Sequence, residues 1–376
     1  MGWAGVFFGG IKPLVLSAYK DHLGFGDELA GYLVATEISG NVIGALFVAS
    51  VIHSWDRRAL GITALVLMLL GNLASLPIDV FSTLIGVRFL VGCGEGLAMG
   101  VMSGTLAGTT EPDRNFAIYT AAMLALETIG FIVIPSFLNV FGMQGIFILL
   151  ILVLVPAFVT VPFFPRSGPS ISNGGRSMHK LHDSPPTGKI VVVITGAFIA
   201  YLGIGGFTPF MGEIGRVSGI DGQFRANVLA FVQFCGFLGA ITATWQGLRW
   251  GRKRPITIAL AAMATSVAVV LVTSHNLAMF IIAMPVFLFM WLYFFAYLSG
   301  VTSALDPSGR ITTLMFTMTS VGFAVGPAMN GWLAEYTNGY TAVEFVTIIF
   351  LLLSIVFLVP IAGDQDRYLM IRSKES

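Results

Sequence analysis

Twelve long apolar runs are the feature that most restricts how this chain can fold. Six fall near residues 2–19, 29–52, 59–77, 80–107, 116–140 and 143–164. Six more fall near 190–212, 226–247, 255–273, 276–304, 311–334 and 342–361. Between the two sets lies Pro165–Lys189, rich in Ser, Gly, Pro and His. In lipid every backbone amide must bond within the structure itself, so runs of this length read as membrane-spanning helices. Composition agrees, since only 10% of residues are charged, whereas a soluble domain carries roughly 25%. The expected fold is an all-α membrane protein of twelve transmembrane helices. Its parts are a six-helix bundle over 1–164, a linker over 165–189, a second bundle over 190–361 and a tail over 362–376.

Lys and Arg orient these helices. Fifteen fall on one side, in the segments around Arg57–Arg58, Arg114, the linker, Arg249–Arg254, Arg310 and the C-terminal tail. Only Lys20, Arg216 and Arg225 fall on the other. The linker and both termini are therefore expected in the cytoplasm, and the short loops suggest a bacterial inner (plasma) membrane. The first run is brief for a span and lacks a basic leader and a cleavage site, so it reads as a membrane helix and not a signal peptide. Either its start lies further upstream or the helix is incomplete.

Several function classes find no support. The net charge of +1 and the lack of a basic or acidic tract give no sign of nucleic acid. Cys93 and Cys235 sit in separate apolar runs, which suits packing and provides neither zinc spacing nor a disulfide framework. No His-Glu-x-x-His pair, nucleophile elbow or phosphate loop is present. His22, His53, His179, His182 and His275 fall at helix ends or in loops. The chain reads as a non-enzyme without cofactor or metal, working as a monomer in lipid. Its expected partners are a small-molecule solute and a proton as coupling ion.

The two halves resemble each other at a shift of roughly 195 residues. Glu37, Gly40 and Gly44 precede Trp55-Asp56-Arg57-Arg58, as Gln233, Gly236 and Gly239 precede Trp250-Gly251-Arg252-Lys253. Glu111-Pro112-Asp113-Arg114 is matched by Asp306-Pro307-Ser308-Gly309-Arg310, and Gly130-Phe131 with Pro135 by Gly322-Phe323 with Pro327. Two parallel six-helix repeats form a known transporter plan, with the site between them near the membrane midplane. On these residues the chain resembles the major facilitator superfamily over essentially its full length. Trp55–Arg58 and Gly247–Arg254 look like degenerate copies of that family's Gly-x-x-x-Asp-Arg-x-Gly-Arg-Arg/Lys loop. The first copy has lost glycines and the second has lost the aspartate. The resemblance implies conformational gating by Asp56, Arg57, Arg58, Arg252 and Lys253. Gly322–Pro327 resembles the family's Gly-x-x-x-Gly-Pro motif, but the fifth run has Ile134 in place of the second glycine, which argues against an efflux antiporter.

Ionisable side chains at bilayer depth cost at least about 2.5–3.5 kcal/mol each, so each one points to function. Lys12, Glu37, Arg88, Glu95 and Glu127 qualify, all in the first half; the second half has none away from its helix ends. Arg88, Gly92 and Glu95 share one face of the fourth helix. Arg88–Gly96 resembles the helix-4 signature of the anion:cation symporter (sialin-like) family, which implies proton coupling at Glu95 and a charge-partner role for Arg88. The structural alternative is a permanent Arg88–Glu95 ion pair. Glu37 and Glu127 are candidate second proton sites, the alternative being charge balance. Lys12, beside the helix-breaking Pro13, is a candidate contact for a substrate carboxylate, the alternative being a snorkelling lysine. Gly92, Gly96, Gly100, Gly104 and Gly108 form a ridge for close helix packing, and Gly40 and Gly44 read the same way.

The second half offers aromatic and amide groups. Trp291, Tyr201, Gln233 and Asn330 are candidate substrate contacts, with Tyr293, Phe294, Phe295 and Tyr297 clustered near Trp291. The function expected is secondary active transport of a small organic solute, an organic anion being favoured, by proton-coupled alternating access. Alternatives are a proton-antiport efflux pump for amphipathic compounds, a uniporter, or a non-transporting receptor or assembly subunit on the same scaffold.

Overall fold

A computed structural model describes residues 2–52, 54–106, 112–164, 187–305 and 310–375. The described residues of the first half form α1 (Ala4–Leu23), α2 (Asp27–Val51), α3 (Arg57–Ser75), α4 (Phe81–Leu106), α5 (Pro112–Phe141) and α6 (Gln144–Thr160). In the second half, α7 (Thr187–Phe207) continues through a 3-10 turn (Thr208–Phe210) into the short α8 (Met211–Val217). There follow α9 (Gly222–Gln246), α10 (Lys253–Val272), α11 (Leu277–Leu305), α12 (Arg310–Thr337) and α13 (Thr341–Glu375). With α7 and α8 counted as one span, the described residues contain the twelve helices expected. Ten of the helices are long and apolar enough to cross a bilayer by length and composition. The linker expected over 165–189 lies mostly outside the described residues, as do His53, Gly108 and the loop residues Asp306–Gly309.

Three local outcomes differ from the sequence reading. Helix α1 reaches 20 residues and runs unbroken through Pro13. Ser17 donates to the Pro13 carbonyl at 3.0 Å, one turn back within the same helix. The segment expected as a free tail after residue 361 continues α13 to Glu375.

The chain divides into two compact units. The first contains α1–α6 with residues 222–230 of α9 and 327–335 of α12; the second contains the remainder of the second half. In the first unit α2 packs on α4, and α4 on α3. The α2/α4 crossing is made by glycine. A Cβ at Gly40 or Gly44 would land on the α4 backbone at Phe89 or Cys93, and one at Gly92 or Gly96 on the α2 backbone at Glu37 or Asn41. Further along, Gly100 faces Val48 and Gly104 faces Ile52.

The second unit repeats this device. A Cβ at Gly239 of α9 would meet the Phe289 carbonyl of α11. Gly322 and Gly326 of α12 lie against α7 at Leu202 and Gly206, as Gly130 of α5 lies against Phe7 and Ile11 of α1. The repeat seen in sequence is thus a repeat of contacts. Small residues allow backbones to approach where lipid gives no hydrophobic drive for association.

Candidate functional site

The glycine crossing sets the chemistry of the first unit, because it brings Glu37 of α2 against α4. Arg88 is fully buried, and its guanidinium grips Glu37 bidentately. Nε donates to Oε2 at 2.9 Å and Nη2 to Oε1. A third N–H, on Nη1, donates to Asn72 Oδ1 at 2.8 Å. Asn72 is oriented in turn, because its Nδ2 donates to the Met68 carbonyl at 2.8 Å. Phe8 and Phe147 place their ring centroids 5.4 Å from the guanidinium carbon, adding cation–π attraction in a dry setting. Arg88 is therefore an enclosed, fixed cation. Its direct partner is Glu37 and not Glu95, the partner suggested by helical spacing.

Glu95 is 3% exposed and lies in the same cluster, with Glu37 and Arg88 as electrostatic neighbours and the Asn41 side chain nearby. Two ionised carboxylates buried side by side repel, so a proton on one of them relieves the pair. Lys12 is buried among the same groups, with Glu127 its strongest electrostatic neighbour and Glu95 and Glu37 following. The Glu127 carboxyl presses on α1 at Gly10, two residues before Lys12. The five charged residues singled out from the sequence thus form one cluster. It holds two cations and three carboxyls, giving −1 with all groups ionised and zero with one proton aboard.

In the second unit Trp291 Nε1 donates to Tyr201 Oη at 3.4 Å. The Phe323 ring lies 5.3 Å from Tyr201 and 5.4 Å from Trp291, completing an aromatic corner. Gln233 is half-buried on α9. Asn330 is not part of this corner; it lies in the stretch of α12 that belongs to the first unit. It is fully buried, and neither amide atom has a partner among the described residues.

At the loop motifs, Asp56 caps α3 by accepting from the Arg58 and Ala59 amides at 2.7 and 3.2 Å. Arg58 reaches the end of α6, donating to the Pro162 carbonyl at 2.7 Å and the Phe164 carbonyl at 2.8 Å. Arg57 is buried, with Nε and Nη1 lacking partners among the described residues. In the second copy, the Arg252 and Lys253 amides donate to Asp366 of α13 at 2.8 and 2.9 Å. Burial holds the Arg252 guanidinium below its ordinary value, with Asp366 opposing the shift.

Sequence reasoning missed Asn72, Asn41, Phe8, Phe147 and Asp366. It also passed over two carboxyl residues at helix ends of the second unit, Glu213 and Glu344, both fully buried. Glu213 pairs with Arg216 at 2.7 Å. Glu344 meets His275 Nε2 at 3.1 Å, and burial lowers the affinity of that imidazole for a proton. An asparagine inside the apolar third run was the one available signal for Asn72. Among the described residues no group of three or more His, Cys, Asp or Glu could hold a metal ion.

Residues 3–306 match the family model described as Major Facilitator Superfamily. No curated protein matches the chain in sequence. Solved structures match in fold over nearly the whole length. A point mutant of the nucleoside transporter NupG shares 14% identity at a TM-score of 0.72, covering 96% of this chain and 97% of that one. A D-xylose–proton symporter shares 15% at 0.74, covering 95% of each. The xylose transporter XylE from E. coli, in a partially occluded inward-open conformation, shares 13% at 0.75, again covering 95% of each.

Proposed function

Because this chain belongs to the major facilitator superfamily, and so is a multi-pass secondary transporter and not an enzyme, we propose that it carries a small organic solute coupled to protons. One observation carries the coupling: Glu95 and Glu37 are both buried in one charge cluster, and the fixed cation Arg88 is committed to Glu37. Arg88 favours the ionised form of Glu37, so Glu95 is the carboxyl we assign to carry the proton. Losing it leaves two carboxylates side by side in a poorly hydrated cluster. That state is unfavourable until water or a solute cation compensates, which ties proton occupancy to solvent access.

Lys12 is the cation we assign to a substrate carboxylate, since Arg88 is enclosed. Glu127 balances Lys12 and serves as the second titrating group. Tyr201 and Trp291, with Phe323, would hold the apolar part of the solute, and Gln233 and Asn330 would supply amide contacts. Asp56, Arg57, Arg58, Arg252 and Lys253 would govern the movement of the loops that carry them. We assign the linker and both termini to the cytoplasm, a reading supported by the Lys and Arg asymmetry. Small organic anions are the favoured solutes. A xylose–proton symporter and a nucleoside transporter among the similar folds bring neutral sugars and nucleosides into the test.

The test uses the full chain in liposomes enclosing a pH-sensitive dye, with organic anions, sugars and nucleosides offered in turn. Solute-driven proton entry is expected. In Glu95→Gln it should vanish while exchange of labelled solute across the membrane persists. Solute flux without proton movement in the unaltered protein would remove the coupling reading, and proton movement opposite to the solute would make the protein an antiporter.

A further inference from the structure

The second loop motif lacks the aspartate of the first, with Gly251 standing where Asp56 stands one repeat earlier. Its helix is nevertheless capped. Asp366 accepts from the Arg252 amide at 2.8 Å through Oδ1 and from the Lys253 amide at 2.9 Å through Oδ2. Gly251 has φ +68, and a Cβ on it would occupy the place of the Asp366 carboxylate. Loss of the side chain at 251 and arrival of a carboxylate from 115 residues later are thus two halves of one substitution.

The neighbours of Asp366 strengthen the placement. Gln365 Nε2 donates to the Val301 carbonyl of α11 at 2.9 Å, and Gln365 Oε1 accepts from Arg252 Nη1 at 3.3 Å. Asp364 pairs with Lys189 of α7 at 2.7 Å. Three consecutive residues of α13 therefore hold α7, α11 and the start of α10, all within the second unit.

We propose that Asp366 is the displaced acidic member of the second loop motif, a positioning residue that caps α10 from the last helix as Asp56 caps α3 from its own loop. A capping carboxylate satisfies amide groups that the first turn of a helix leaves open. What it supplies is two acceptor oxygens, one for each amide, so asparagine, with one, keeps one of the two bonds and alanine keeps neither. An ion pair would depend on charge and would fail with asparagine. The proposal is independent of the solute and of proton coupling, and its test needs neither.

Hydrogen exchange of the full-length protein in lipid nanodiscs, read on peptides covering residues 248–260, decides it. Asp366→Ala should speed exchange at Arg252 and Lys253 about fivefold to tenfold, the equivalent of losing one cap. Asp366→Asn should fall between the two, with one of the two amides still protected and the combined exchange about twofold to threefold faster. Asp364→Ala, which removes only a half-exposed ion pair, should leave those amides unchanged. Unchanged exchange in Asp366→Ala, or Asp366→Asn exchanging as fast as alanine, overturns the proposal. Should the alanine variant fail to fold, the asparagine variant decides alone: protection kept at one of the two amides supports the cap, and protection lost at both refutes it.

Discussion

Arg88→Ala is expected to destabilise the protein by about 3–5 kcal/mol, and adding Glu37→Gln to that variant is expected to restore most of the loss. Removing Arg88 alone leaves a fully buried carboxylate with neither of its bidentate donors. Removing both charges replaces an uncompensated ion with a neutral amide, which can donate to Glu95 and accept from nearby groups. In thermal unfolding of the purified protein the single variant should melt on the order of 10 °C lower. Arg88→Lys should fall between, because an ammonium cannot hold Glu37 bidentately and Asn72 at once. If the double variant melts no higher than Arg88→Ala, the pair is not the unit of stability described here.

The second large effect concerns two glycines on α4 that receive the same substitution with opposite results. Gly92→Ala should be poorly tolerated, because its Cβ would fall on the Glu37 carbonyl and push α2 from α4. Overpacking of this kind costs about 1–3 kcal/mol or more. Here the displaced residue also holds Arg88, so the loss should sit at the upper end. Gly86→Ala, six residues earlier with nothing within 4 Å of the added methyl, should gain up to about 1 kcal/mol from helix propensity. Folded yield and melting temperature of the pair provide the check. Equal behaviour of the two variants would mean that α2 and α4 do not touch backbone to backbone.

These contacts also explain what could be read from the sequence and what could not. The twelve helices and their duplication were legible because hydrophobic runs and recurring glycines are local patterns. The five intramembrane charges were legible because lipid makes each of them expensive. Their pairing was not. Arg88 and Glu95 share a face of α4, yet seven residues of helix separate them by about 10.5 Å along the axis. Glu37 wins because the glycine crossing brings a second helix to the height of Arg88, and no periodicity within one segment reports that. Asp366 was hidden for a similar reason, lying in a stretch that composition marks as a tail. Glu213 and Glu344 sit at helix ends, where a carboxylate ordinarily meets water, and their burial depends on neighbours from other helices.

The Glu37–Arg88 pair also has a consequence for how the chain is made. The two residues are 51 positions apart, so at about 5–20 residues per second the glutamate is synthesised roughly 3–10 s before its partner exists. During that interval α2 carries an orphan acid, which it can bring into lipid neutral or keep near the insertion machinery. Settling α2 beside α4 then converts a transient protonated acid into a permanent counter-ion. Biogenesis of the first bundle should therefore be slowest at the step where the fourth helix arrives, and a ribosome paused between the third and fourth helices should leave α2 open to extraction from the membrane.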